Sequence, residues 1–418
     1  MIKSRRRLLK NLAGAGLLPT ITSFQTAAPG SPKAPETSEN PVCSSIASRE
    51  RHQGAPGKTV VLGRSDECYP RHSEGDLVEL ADGSILAVWS RFQGRSDHAR
   101  SELVGRRSHD KGATWSPLEV ISSLQEPGHR SLSNLMSASL IRLRKSNQTL
   151  LFYLGKSNVE GKENTIRCSI FFRKLEDEGW SSPVQVSDSE HYYVVNNARV
   201  IELSSGRILV PAAVSLDPDD PYGWSYQSCL TFYSDDGGKS WAKSRACQIE
   251  PASGSERSRF TAQEPGLLEL LDKRVMMVIR TRLGHPYVSL SEDGGESWSP
   301  PKPIPGVVAP ASPQTLFRLP GTENLIGMIY NHNPRGAEAR WSERFPLSFA
   351  ISRDEGGTFQ FQKNIESIPG RCWSYPSARL NGDQVFLSYY EWIEGEANFF
   401  FTDFRLSIIP QDWFSESS

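Results

Sequence analysis

From Leu77 the chain runs in short apolar bursts: Leu77-Val78-Glu79-Leu80, a turn at Asp82-Gly83, then Ile85-Leu86-Ala87-Val88-Trp89. A polar stretch reaches His98, and Leu103-Val104-Gly105-Arg106-Arg107 follows. Short runs of β-branched and large apolar residues bounded by Gly, Asp and Ser predict strands joined by tight turns. Four such strands make one antiparallel blade. The same order recurs from Leu267 to Leu271, across Asp272-Lys273, through Val275 to Ile279, past a loop near Arg282, and on through Tyr287 to Leu290. It recurs again from Leu316 to Phe359, whereas residues 372–405 carry three strands only. The apolar Thr59-Val60-Val61-Leu62 is expected to add the fourth strand there, closing the ring and removing exposed sheet edges.

A second pattern sets the number of blades. Trp115, Trp180, Trp241, Trp298 and Phe359 stand 65, 61, 57 and 61 residues apart. Four of them close the phrase Ser-x-Asp-x-Gly-x-(Thr/Ser)-aromatic, the Asp-box, at Ser108, Ser234, Ser291 and Ser352; residues 173–180 keep only Glu178-Gly179-Trp180. A repeat of this length built from short strands signals a radial array whose units bury their faces against each other. The 418 residues then hold six units between positions 58 and 410 rather than several domains. The expected fold is all-β, a six-bladed β-propeller of four-stranded antiparallel blades.

The box residues are turn formers. Asp and Ser bond nearby backbone N–H groups, Gly accepts positive φ, and the aromatic returns to the core. An EF-hand loop is excluded, because the bidentate Glu at its twelfth position and the flanking helices are lacking. Strand parity then assigns the chemistry to the opposite face. Segments leading into the first strand of a blade, and loops joining its second and third strands, share that face. They carry Arg71, Glu74, Arg91, Asp97, His98, Asn196, Asn197, Glu264, Arg280, Arg282, Arg344 and Tyr375. Loops on a rigid scaffold are where catalytic groups are usually presented.

Charge and cysteine narrow the partners. The 47 basic and 48 acidic residues are mixed along the chain, which favours neither nucleic acid nor an anionic membrane surface. Cys43, Cys68, Cys168, Cys229, Cys247 and Cys372 show no CxxC spacing, so neither a zinc site nor any other metal or cofactor is expected; a Cys229–Cys247 pairing stays open. Ser4-Arg5-Arg6-Arg7-Leu8-Leu9-Lys10 precedes a Gly-interrupted apolar run that is too short to span a membrane. Residues 1–28 are expected to be a twin-arginine export signal, residues 29–58 a disordered linker, and residues 59–418 the propeller. The expected protein is bacterial, exported to the periplasm or beyond, and monomeric.

At these residues the chain resembles the sialidase (neuraminidase) family of six-bladed propellers. Tyr69-Pro70-Arg71, followed by Arg91 and then Asp97-His98-Ala99, resembles the family's opening arginine segment and its Asp-containing loop. Gln263-Glu264-Pro265 with Arg280 is similar to its Asn-Glu-Pro segment and central arginine. Arg344 before the last box, and Trp373-Ser374-Tyr375 leading to Tyr390-Glu391, are similar to its third arginine, Tyr-Ser segment and later Tyr-Glu. The resemblance implies an acidic-sugar hydrolase in which Arg71, Arg280 and Arg344 clamp a carboxylate, Tyr375 is the nucleophile, Glu264 its base and Asp97 the general acid. A neutral nucleophile has a physical reason: two like charges ~4 Å apart repel by about 4 kcal/mol at an effective dielectric of ~20.

Rival readings accompany several of these residues. Arg282 competes with Arg280 for the clamp, Arg91 is a partner of Asp97 or a plain loop charge, and Tyr375 is a nucleophile or a seam aromatic. Asn196, Asn197 and Arg199 contact sugar hydroxyls or cap a strand. His72-Ser73-Glu74-Gly75-Asp76 departs from the family, and two carboxylates beside Arg71 weaken its pull on an anion. The resemblance implies a terminal sialic or similar acidic sugar as substrate, and this departure points away from common sialic acid toward a related nonulosonic acid or a uronic-acid-containing glycan. The alternatives are a lyase or hydrolase of uronic-acid polysaccharides using Glu74, His72 or His98, and a propeller that binds acidic glycans without catalysis.

Overall fold

A computed structural model describes residues 55–159, 165–215, 227–249, 262–319, 325–340, 342–393 and 401–415. The expected signal and most of the expected linker lie outside them. Among the described residues the chain forms six antiparallel sheets. Blade one runs Arg71–Glu79, Ile85–Phe92, Ser101–Ser108 and Glu119–Ser122 from the centre outward. Blades two, four and five repeat that order from inner strands Asn134–Arg142, Gln263–Glu269 and Thr315–Arg318. In blade three the inner strand is split into Tyr193–Val194 and Ile201–Glu202.

Blade six closes as anticipated. Its inner strands are Arg371–Asn381, Gln384–Ile393 and Asp403–Pro410, and Lys58–Gly63 pairs outside them with Thr59 opposite Ser407 and Val60 opposite Leu406. The chain is anchored slightly earlier than the linker boundary suggested, since the Ala55 N–H donates to the Ile365 carbonyl at 2.7 Å. Joining the two ends of the chain within one sheet leaves the ring without an open seam.

The core is a set of seams. Each seam packs one blade on the next, as where Leu86, Val88 and Leu103 of blade one meet Leu135, Leu140 and Leu151 of blade two. The evenly spaced aromatics fill successive seams: Trp115 between blades six and one, Trp180 between one and two, Trp241 between two and three, Trp298 between three and four, Phe359 between four and five. Trp241 meets Phe152 and Phe172 edge to face at 5.9 and 5.7 Å between ring centres. In the sixth seam Phe414 of the short helix Asp412–Ser415 takes the equivalent place. That helix is the only α-helix among the described residues, and no helix there is long and apolar enough to cross a membrane.

The boxes are self-contained turns. In the first, Gly112 N–H donates to Ser108 Oγ at 2.8 Å, Thr114 N–H donates to Asp110 Oδ1 at 2.8 Å, and Thr114 Oγ1 donates to Asp110 Oδ2 at 2.6 Å. Gly112 has φ 81, which only glycine adopts without cost. The Thr114 bonds push the Asp110 carboxyl down to about 2. The same bonds recur around Asp236, Asp293 and Asp354. Cys68 is disulfide-bonded, while Cys229 and Cys247 exchange backbone hydrogen bonds and keep free, buried thiols.

Candidate active site

The pocket on the face opposite the boxes is built by bulges in the inner strands. Register slips occur between Ser73 and Asp76 in blade one, Met136 and Ser139 in blade two, Gln263 and Gly266 in blade four, and Ser374 and Ser377 in blade six. The residue at each slip takes positive φ: Glu74 at 54, Ser137 at 62, Glu264 at 43 and Tyr375 at 57. Ala198, at 57, does the same where blade three's inner strand is split. A bulge leaves one residue unpaired and re-aims its side chain, so these positions turn toward the central axis instead of a neighbouring blade. Bulky residues at positive φ are rare and gather at functional sites.

The cavity measures about 420 Å³, within the range of small-molecule sites. It gathers Arg71, Glu74, Asp97, Glu264, Arg280, Arg282, Arg344 and Tyr375, which come from blades one, four, five and six. Arg91 and His98 are not in its lining. Arg91 pairs with Glu102 and lies 3.9 Å over the Tyr69 ring, so it belongs to blade one's own surface. His98 neighbours Asp97 on the same loop without reaching the cavity wall. His72 is also outside: Trp89 Nε1–H donates to its Nδ1 at 2.9 Å, and burial, then Arg91 and Arg106, push its pKa down to about 3. Buried outside the cavity lining and with Nδ1 taken by Trp89, His72 does not face the space where a sugar would sit.

At the centre, Tyr375 Oη donates to Glu264 Oε1 at 2.6 Å, and Arg280 Nη1 donates to Glu264 Oε2 at 2.5 Å. Burial, then the Glu264 charge, raises the phenol well above its ordinary value. Ionising Tyr375 therefore requires its proton to leave with Glu264. Arg344 lies 5.3 Å over the Tyr375 ring and donates to Ser374 Oγ at 2.9 Å and to the Tyr390 hydroxyl at 3.3 Å. Tyr375 and Tyr390 stack at 5.2 Å between ring centres. Glu391, beside Tyr390, turns away to Arg371, Trp373 and Arg405 and serves the blade instead.

Arg71 is already engaged. Its Nη2 donates to Glu74 Oε1 at 3.0 Å, Nη1 to Asp97 Oδ1 at 2.5 Å, and Nε to Ser73 Oγ at 3.0 Å. The Asp97 side chain is 56% exposed and lines the cavity. Partial enclosure works to raise its pKa, but Arg71 and Lys156 outweigh that and hold it well below the ordinary carboxylate range.

Two residues outside the sequence expectation, Asn134 and Lys156, complete the frame together with Asn197. Asn134 Nδ2 and Lys156 Nζ each donate to the Asp97 carbonyl at 2.7 Å, fixing the loop that carries Asp97. Asn197, expected to contact sugar hydroxyls or cap a strand, reaches across the axis to the Gly75 carbonyl at 2.7 Å and the Tyr375 carbonyl at 3.2 Å. Asn134 stands three residues before its bulge, as Arg71 does in blade one, and that offset is the signal from which it was recoverable. Among the described residues no group of three His, Cys, Asp or Glu side chains is arranged to hold a metal ion.

Six blades, Asp-box turns on one face and an arginine-rich tyrosine–glutamate pocket on the other define a sialidase-like propeller. The chain belongs to the BNR repeat-like domain family, which matches residues 83–387. It is 24% identical over 342 residues to a sialidase of Bacteroides fragilis, covering 75% of this chain and 59% of that protein's length. Its fold is similar to the Trypanosoma rangeli sialidase solved with the inhibitor DANA (TM-score 0.62, 15% identity, 85% of this chain and 60% of that one). A Dyadobacter fermentans protein of unknown function is equally similar in fold (TM-score 0.62, 20% identity, 84% of this chain and 100% of that one).

Proposed function

We propose that the protein is an exo-acting, retaining glycoside hydrolase that releases a terminal sialic acid or related acidic sugar. The observation that carries this reading is the 2.6 Å bond from Tyr375 Oη to Glu264 Oε1 in a pocket flanked by Arg280 and Arg344. Guanidinium groups offer planar paired donors to a carboxylate, and a neutral phenol approaches an anionic sugar without like-charge repulsion. Tyr375 Oη attacks the anomeric carbon while its proton passes to Glu264. The glycosidic C–O bond breaks, and Asp97 gives its proton to the departing oxygen. Water, deprotonated by Asp97, then displaces Tyr375, and Glu264 returns the proton to the phenolic oxygen. Two inversions at one carbon retain configuration.

Arg71, bonded to Asp97, favours its ionised form. A sugar carboxylate competing for Arg71 weakens that pair and raises Asp97 toward the protonated form the first step needs. The Glu74 carboxyl beside Arg71 makes common sialic acid one member of the substrate class rather than its only candidate.

The test is turnover on a panel of fluorogenic sialosides, other nonulosonic acid glycosides and uronic-acid glycans. Release of a free acidic sugar is expected, collapsing by at least about a hundredfold in Tyr375→Phe. Product absorbing in the ultraviolet, with glycosides untouched, would select the lyase instead. Acidic-glycan binding with no turnover would leave a binding propeller. We further propose that residues 1–28 direct export after folding, supported by the Arg5-Arg6-Arg7 run; a mature form that keeps those residues outside the cytoplasm would oppose this.

A further inference from the structure

Glu74 is a buried carboxyl that the proposed reaction leaves unused. It stands at the bulge of blade one, in the place where blades four and six present Glu264 and Tyr375, and it lines the same pocket. Its neighbour Gly75 leaves room for Phe404 of blade six and Trp89 of the adjacent strand, which a Cβ would meet at 2.4 and 2.6 Å. Oε1 accepts from Arg71, whereas Oε2 is buried with no hydrogen-bond partner. A buried polar atom left unpaired calls for a functional account. Arg71 meanwhile serves two carboxyls, Glu74 and Asp97, so one positive charge faces two negative ones. A third carboxylate brought against Arg71 finds that guanidinium already shared by two others.

We propose that an acidic sugar enters this pocket together with one proton, which Glu74 carries on Oε2 and donates to the sugar's carboxylate. The inference rests on the acidic-sugar reading of the site. Arg71 on the same strand and Lys156 from blade two favour the Glu74 carboxylate. Asp97 from the neighbouring loop and Glu264 from blade four oppose it, while Tyr390 of blade six, its phenol pushed up by burial, stays neutral. Burial is the largest influence and raises the group from its ordinary 4.5 to about 7, so it is near half protonation at neutrality. An arriving carboxylate raises both carboxyls bonded to Arg71, but Asp97 starts far lower under Arg71 and Lys156, so the uptake near neutrality is that of Glu74. Binding is therefore strongest below the free-site value and weakens as pH rises toward the bound-site value.

The experiment titrates the full chain with unsaturated sialic acid, glucuronate and galacturonate, and with uncharged N-acetylglucosamine as control. It spans about pH 5 to 9 in buffers of differing ionisation heat. An acidic probe that binds is expected to lose up to about tenfold in affinity per pH unit above neutrality and to take up close to one proton. In Glu74→Gln, which keeps the shape of the side chain, the same probe is expected to bind with a flat profile. A wild-type affinity that ignores pH overturns the inference whatever the variant does. Uptake that persists undiminished in Glu74→Gln also overturns it, assigning the proton elsewhere while the acidic-sugar reading stands. Failure of all three acidic probes to bind at any pH removes the acidic-sugar reading and this inference together.

Discussion

Tyr375 Oη donates to Glu264 Oε1 at 2.6 Å although 111 residues of chain separate the two. Both side chains project from bulges with positive φ, a conformation costing roughly 1–2 kcal/mol per residue for side chains of this kind. The bulges are held from outside: Asn197 of blade three donates to the Tyr375 carbonyl and to the Gly75 carbonyl beside Glu74. Arg280 braces Glu264 from the adjacent strand. The pair is thus strained locally and fixed by neighbouring blades.

Asn197→Ala is expected to act on geometry more than on stability. Two buried carbonyls lose their donor, and Tyr375 relaxes away from Glu264. Misplacement of a reacting group by about 1 Å costs on the order of a hundredfold in rate. Steady-state kinetics on whichever substrate the wild type turns over should show most of the loss in kcat. An unchanged kcat would mean that Tyr375 is held without Asn197.

Asp97→Asn should discriminate by leaving group. Natural glycosides need protonation of the departing oxygen and are expected to slow by about 10²–10⁴. Aryl glycosides with a good leaving group should slow far less. Because Arg71 and Lys156 depress the Asp97 carboxyl in the free site, the protonated acid is scarce at neutrality. kcat/KM should therefore rise as pH falls toward the acid side. Equal losses on both substrate types would remove Asp97 as the general acid.

Glu366 supplies a pH dependence of stability remote from the pocket. It is buried between blades five and six, accepts a hydrogen bond from Tyr389 Oη, and leaves Oε2 without a partner. Burial raises it from the ordinary 4.5 to about 7. The folded state therefore binds a proton that the unfolded chain has released across that interval. Its stabilisation is complete below about 4.5 and is lost as pH rises to about 7, by on the order of 3 kcal/mol. Glu366→Gln should flatten this part of the thermal-midpoint profile, and a profile unaltered by the substitution would contradict it.

Asp293→Ala separates the two faces. The variant loses the acceptor of the Ser291 and Ser297 hydroxyls and of the Glu296 and Ser297 N–H groups. The turn is solvated, so the thermal midpoint should fall by only about 2–4 °C. kcat/KM should stay within about twofold of wild type, as Asp293 lies on the face away from the cavity. A large catalytic loss would give the boxes a role in chemistry.

Much of the site was legible because strand parity is a local rule. Once Asp110, Asp236, Asp293 and Asp354 mark one face, Arg71, Glu264, Arg280, Arg344 and Tyr375 fall on the other, and all five line the cavity. Arg91 and His98 obey the same parity and still miss it. Arg91 finds Glu102 opposite it on the adjacent strand and Tyr69 beneath it, partners available within blade one. The bracing role of Asn197, and Lys156 altogether, are not legible in the sequence because their partners, the Tyr375 and Asp97 carbonyls, belong to other blades. Backbone acceptors carry no mark in a sequence.

Alternating apolar bursts, the turn chemistry of each box and a spacing near sixty residues depend on neighbours along the chain. They determined blade number, closure by Thr59–Leu62 and the face that bears the cavity. The tertiary structure alone decided the bulges at Glu74, Glu264 and Tyr375, since a register slip arises from how each inner strand meets its partner. It also decided the charge state of each carboxyl. Burial and ion pairing depend on groups from other blades: Glu74 is pushed up to about 7, while Asp97, bonded to the same arginine, is held down.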